Sequence, residues 1–152
     1  MTDLDHVRMG SEPEAYCSEL ADRFRKENKE IKEQTRAIND LKHMIDANIQ
    51  GPDIPALLQT HINTILNGQQ GSLEQALEKL GENPEAIQKK QERIRNLCNQ
   101  LGQIYANAGF QGKTSNSLNS AIQGIKDLDS AYSSYILSSQ NAKPVIEKHL
   151  KV

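Results

Sequence analysis

Apolar residues recur at every seventh position along the first third of the chain, at Cys17, Phe24, Ile31, Ile38 and Ile45. An α-helix turns every 3.6 residues, so a strict seven-residue stripe stays buried only if its helix supercoils against a partner. The second seam position reads Leu20, Glu27, Gln34, Leu41, Asn48, with polar residues in the middle. A free two-stranded coil would be weak there, so the pattern predicts a helix packed inside a bundle. Ser11-Glu12-Pro13-Glu14 has the form of a capping box with proline in the first turn. Beyond Pro13, neither Gly nor Pro intervenes until Gly51-Pro52, which predicts a helix of roughly 38 residues, ~57 Å long at 1.5 Å per residue.

Asp53 then caps a second helix, with Pro55 in its first turn and Ile54, Leu57, Leu58, Ile62, Ile65 and Leu66 on a broad apolar face that ends at Asn67-Gly68. Ser72 and Gln75 form another capping box, opening a short third helix with Leu73, Ala76, Leu77 and Leu80 inward and Gly81 closing it. Asn83-Pro84-Glu85 starts a fourth helix. There Ile87, Ile94, Leu101 and Ala108 keep the seven-residue spacing, supported by Leu97 and Ile104, and this is the natural partner for the first stripe. Gly109 to Ser117 reads as a loop. A last helix carries Leu118, Ile122, Ile125, Leu128, Tyr132, Tyr135 and Ile136, with a kink or break expected near Asn141 to Pro144. The expected fold is all-α: an elongated antiparallel helical bundle with coiled-coil-like long helices over residues 11–152, preceded by a flexible tail over residues 1–10.

Composition narrows the function. With 36% hydrophobic residues, 4% aromatic residues and no Trp, the core is thin, and the formal net charge of -2 makes no case for nucleic acid. Bases of the first helix such as Arg23, Lys26 and Lys29 alternate with Glu19, Asp22 and Glu30, as on a solvated helix face. Cys17 and Cys98 sit on apolar faces without Cys-x-x-Cys spacing, which points to buried thiols in a reducing, cytoplasmic setting. No apolar run is long enough to span a bilayer.

Catalytic and ligand sites fare poorly. Gly112-Lys113-Thr114 ends like a phosphate loop, but Asn107 stands where the first glycine belongs, and a helix rather than a strand precedes it. Asp40-x-x-His43 is the nearest approach to a bundle metal site, and His6, His43, His61 and His149 are scattered. Neither cysteine has an activating base at a recognisable spacing. The chain therefore reads as no enzyme, with no cofactor and no metal. Aromatic anchors are the remaining candidates for partner binding: Phe110 in its Gly-bracketed loop, and whichever of Tyr132 and Tyr135 faces outward.

The order of features from Ala15 resembles one half of the V-shaped middle domain of the ALIX family of ESCRT adaptors. The matching elements are the long first helix, Ile54-Pro55 followed by Leu57 and Leu58, Ile65-Leu66-x-Gly68, and Leu73-Glu74-Gln75-Ala76-Leu77-x-x-Leu80. After these come Pro84-Glu85 and Phe110-Gln111 before Ser115-Asn116-x-Leu118. In the family a tryptophan generally stands at the position of Phe110, and its acidic patch is cut short here at Ala106 to Gly109. The family's aromatic pocket belongs to a part beyond this chain, so no binding residue carries over. The resemblance implies a helical arm in protein transport that recruits ESCRT-related partners or ubiquitin by surface contact. The alternative is a coiled-coil assembly subunit or secretion chaperone completed by another chain. A monomer is expected ahead of self-association, because several helices in one chain supply seams of their own.

Overall fold

The structure, a computed structural model, describes residues 13–108 and 113–151. These form four helices and no strand: α1 (Pro13–Asp46), α2 (Ile54–Ile65), α3 (Leu73–Ala108) and α4 (Lys113–Leu150). The all-α bundle expected from the sequence is what the chain forms. Its residues sort into two compact units, one built from 1–29 and 88–132, the other from 30–87 and 133–152. The tail expected over residues 1–10 and the Ser11 cap lie outside the described residues.

In the first unit, Cys17, Leu20 and Phe24 of α1, Ile94, Leu97 and Leu101 of α3, and Leu118, Ile125 and Leu128 of α4 are buried. The heptad spacing assigned the α1 stripe to the fourth predicted helix, yet the close contacts of α1 here run to α4. A Cβ placed on Gly124 would lie 3.3 Å from Phe24 Cβ and 3.9 Å from the Ala21 carbonyl oxygen. Ser18 Oγ donates to Ser117 Oγ at 3.2 Å, and the Tyr132 hydroxyl reaches Glu27 at 3.5 Å. These pairs rise together along both helices, so α1 and α4 run parallel, as the first and third of three alternating long helices must. Arg95 of α3 grips Asp129 of α4 with two hydrogen bonds of 3.1 and 3.2 Å. This fork holds a partly exposed pair in a fixed geometry.

In the second unit, Ile38 and Leu41 of α1, Ile62 and Ile65 of α2, Ala76, Leu80 and Ile87 of α3, and Tyr135, Ala142 and Ile146 of α4 are buried. Ile31 and Ile45 of the α1 stripe are half-buried. The stripe therefore packs fully at Cys17, Phe24 and Ile38 and only in part at its other two points.

Helix ends follow local chemistry. α1 stops at Asp46, short of Gly51-Pro52, because Asn48 takes a left-handed conformation with φ 51. Asn48 N–H donates to Ile45 O at 3.2 Å and Ile49 N–H to Met44 O at 3.1 Å, the double hydrogen bond of a Schellman ending. α2 ends the same way at Asn67 (φ 60) and Gly68 (φ 84), where the sequence placed its stop. The Ser72–Gln75 capping box also forms: the Gln75 side chain accepts from Ser72 N–H at 2.8 Å, and Ser72 Oγ accepts from Gln75 N–H at 3.2 Å. Asp53 precedes α2 without a side-chain capping bond.

Two expected interruptions do not occur. α3 runs unbroken through Gly81 and Pro84, so the predicted third and fourth helices are one, and α4 runs through Pro144. Each proline removes one amide from the helix ladder, but tertiary packing spans the gap. Leu80 and Ile87 are buried on either side of Pro84, and Ala142 and Ile146 on either side of Pro144. Asn83, expected as a cap, is instead buried inside α3 and turned toward α4. The loop expected from Gly109 to Ser117 is also shorter, since Lys113 already belongs to α4.

Candidate interaction surface

The aromatic residues put forward from the sequence divide cleanly. Phe110 lies outside the described residues. Neither tyrosine faces outward: Tyr132 is 4% exposed and Tyr135 is 1% exposed. In the first unit, burial pushes the Tyr132 phenol above the ordinary tyrosine range, with the Glu27 charge and hydrogen bond adding to the effect and Arg23 opposing it. In the second unit, Asn83 Nδ2 donates to the Tyr135 hydroxyl at 2.7 Å and to Ser139 Oγ at 3.4 Å, while Ser139 Oγ donates to the Tyr135 carbonyl at 2.9 Å. Burial pushes Tyr135 up to about 12, against a smaller lowering from the Asn83 bond. Both tyrosines are core residues with a satisfied polar tip, which removes them as exposed anchors.

Groups with reactive potential do not converge. Cys17 is buried, and desolvation raises its thiol, the opposite of what an attacking thiolate needs. Cys98 is half-buried. Among the described residues no three His, Cys, Asp or Glu side chains gather as metal ligands, and no helix is long and apolar enough to cross a membrane.

Exposed apolar side chains mark a different place. The large hydrophobic residues left most open are Ile49 at 38%, Leu57 at 45% and Leu137 at 57%, all in the second unit. Leu137 stands alone, with exposed Ser133, Ser134, Gln140 and Asn141 around it on α4, and a single surface leucine is ordinary. Ile49 and Leu57 are different, because they belong to one short stretch with half-buried Ile54 and Leu58.

That stretch joins α1 to α2 and opens the most apolar of the four helices. Only the C-terminal half of α2 is well buried, through Ile62 and Ile65. It is also tied down there: Lys79 Nζ donates to the Ile65 carbonyl at 2.5 Å, and Gln59 Nε2 to the Gly71 carbonyl at 2.8 Å. Gln34 of α1 bonds the Asn67 side chain at the same end. Ile54, Leu57 and His61 follow one another along one side of α2, set off from the Ile62–Ile65 face. The broad apolar face read from the sequence is thus wider than the surface available to bury it.

The surroundings of this end are one-sided in charge. Asp46 and Asp53 are exposed on either side of the connection and form no ion pair among the described residues. Lys42 is the last base before it, and no Lys or Arg follows until Lys79. That gap is a sequence signal that reasoning from aromatics passed over. A second apolar feature, a groove of about 420 Å³ floored by Leu77 and Leu150, has both signs on its rim, and there Lys143 pairs with Glu147 at 3.8 Å. No family model, no curated protein and no solved structure matches the chain.

Proposed function

We propose that the chain is a non-catalytic helical interaction module that binds a partner protein through the apolar end formed by Ile49, Ile54, Leu57 and Leu58. One observation carries this reading: the most apolar helix leaves Leu57 45% exposed beside Ile49 at 38%, where a purely structural helix hairpin would cover both or make them polar. The sequence resemblance supports an ESCRT-adaptor-like form of this work, the recruitment of ESCRT-related partners or ubiquitin. The test is affinity capture from the source cells with the unaltered chain and with Leu57→Gln, followed by identification of what is bound. A partner retained by the first and lost from the second supports the reading. An identical set on both, or none on either, sinks it.

A further inference from the structure

We infer that the segment received at the α1–α2 end is cationic as well as apolar: a stretch of a partner protein in which aliphatic or aromatic side chains alternate with Lys or Arg. The inference rests on the interaction reading above and adds the chemistry of the partner. Ile49, Ile54, Leu57 and Leu58 supply the apolar contact, and the Asp46 and Asp53 carboxylates border it without an ion pair among the described residues. Asp53 also makes no capping bond to its own helix, so its carboxylate is open to an outside donor.

The nearest base in sequence is the half-buried Lys42, with His43 beside it, and no other Lys or Arg occurs before Lys79. An acidic border around an apolar centre rejects a carboxylate-rich segment through like-charge repulsion and favours one bearing ammonium or guanidinium groups. A second copy of this chain fits less well, because the same end would bring Asp46 and Asp53 against their own kind.

Two short synthetic peptides with the same apolar positions, one carrying Lys and Arg at its polar positions and the other Glu and Asp, test the inference by fluorescence anisotropy against the full chain. The cationic peptide should bind at least ~10-fold tighter, and its affinity should fall as salt rises. Leu57→Gln should abolish binding with the circular dichroism spectrum unchanged. Asp46→Asn combined with Asp53→Asn should erase the preference between the peptides. Equal or reversed affinities that still depend on Leu57 overturn the cationic partner and leave the docking end standing. Binding indifferent to Leu57→Gln, or no binding of either peptide, overturns the inference, and indifference removes the docking end with it. Self-association lost in Leu57→Gln, seen by sedimentation, assigns the surface to a second copy and overturns it as well.

Discussion

The unit of residues 1–29 and 88–132 buries its apolar rows without a proline inside a helix, and brings Phe24 onto Gly124 closely enough that an added methyl would press on it. The unit of residues 30–87 and 133–152 contains both helix-interior prolines, the buried Asn83–Tyr135–Ser139 cluster, the short α2, and Ile49, Leu57 and Leu137. α1, α3 and α4 contribute to both units, so the contrast is not one of secondary structure. It lies in where each unit departs from simple burial: the first in one polar contact, Tyr132 with Glu27, the second in a polar core layer and an apolar surface. Departures of that kind cost stability, and interaction surfaces are where such a cost is expected to be retained.

The largest expected effect is in the first unit. Phe24→Ala should destabilise the protein by ~3 to 5 kcal/mol, the range for truncating a buried phenylalanine, because the ring is fully buried and its helix is already at close approach to α4. In the second unit Ile38→Ala should cost ~2 to 5 kcal/mol by the same mechanism. Urea denaturation measures both. A loss near ~0.5 kcal/mol, typical of surface sites, at either position would place that part of the α1 stripe in solvent.

Pro84 should respond in the opposite direction. Proline is ~3 kcal/mol less favourable than alanine inside a helix, and α3 continues through Pro84 on the strength of its packing alone. Pro84→Ala restores an amide able to reach the Leu80 carbonyl. Since the half-buried ring also gives up some contact, a net gain of about 1 to 2 kcal/mol is expected, visible as a higher Tm. A loss instead would mean that the local bend is needed for Asn83 to meet Tyr135.

Tyr135 makes the polar layer of the second unit sensitive to alkali. An unfolded tyrosine titrates near about 10, and burial pushes Tyr135 up to about 12 in the fold, so folding favours the protonated phenol. That contribution is complete below pH ~10 and is lost as pH rises through the folded value, with a total on the order of 2 kcal/mol. Stability measured across this window should fall less in Tyr135→Phe than in the unaltered chain. Parallel slopes would show that the phenol does not carry the dependence.

Sequence patterns resolved the fold wherever a local rule faced no competitor. The Ser72–Gln75 box and the Asn67–Gly68 stop depend on a few neighbouring residues, and both form where they were read. Pro84 and Pro144 misled because a local penalty of a few kcal/mol was outweighed by packing from distant parts of the chain, through Leu80, Ile87, Ala142 and Ile146. Asn48 ended α1 early because an asparagine can adopt a left-handed turn without advertising it. The candidate surface was the least legible feature. Leu57 and Ile62 look alike in an apolar pattern, and only the three-dimensional arrangement shows that one is left open.

The smallest stability effect carries the most about function. Leu57→Gln keeps a straight side chain of good helix propensity on a position that is already 45% exposed, so the loss should stay below ~1 kcal/mol, under half of what burying a leucine completely is worth. Leu137→Gln is the matched control: Leu137 is more exposed still, at 57%, but polar residues surround it on α4. If exposure alone made a binding site, the Leu137 variant would be the more damaging for partner capture. If a contiguous apolar end is required, Leu57→Gln should weaken capture by ~10-fold or more, equivalent to at least ~1.4 kcal/mol, while Leu137→Gln binds as the unaltered chain does. Two variants of nearly equal stability thus separate a surface from a stray leucine, and equal losses of binding in both would move the interaction site off the α1–α2 end.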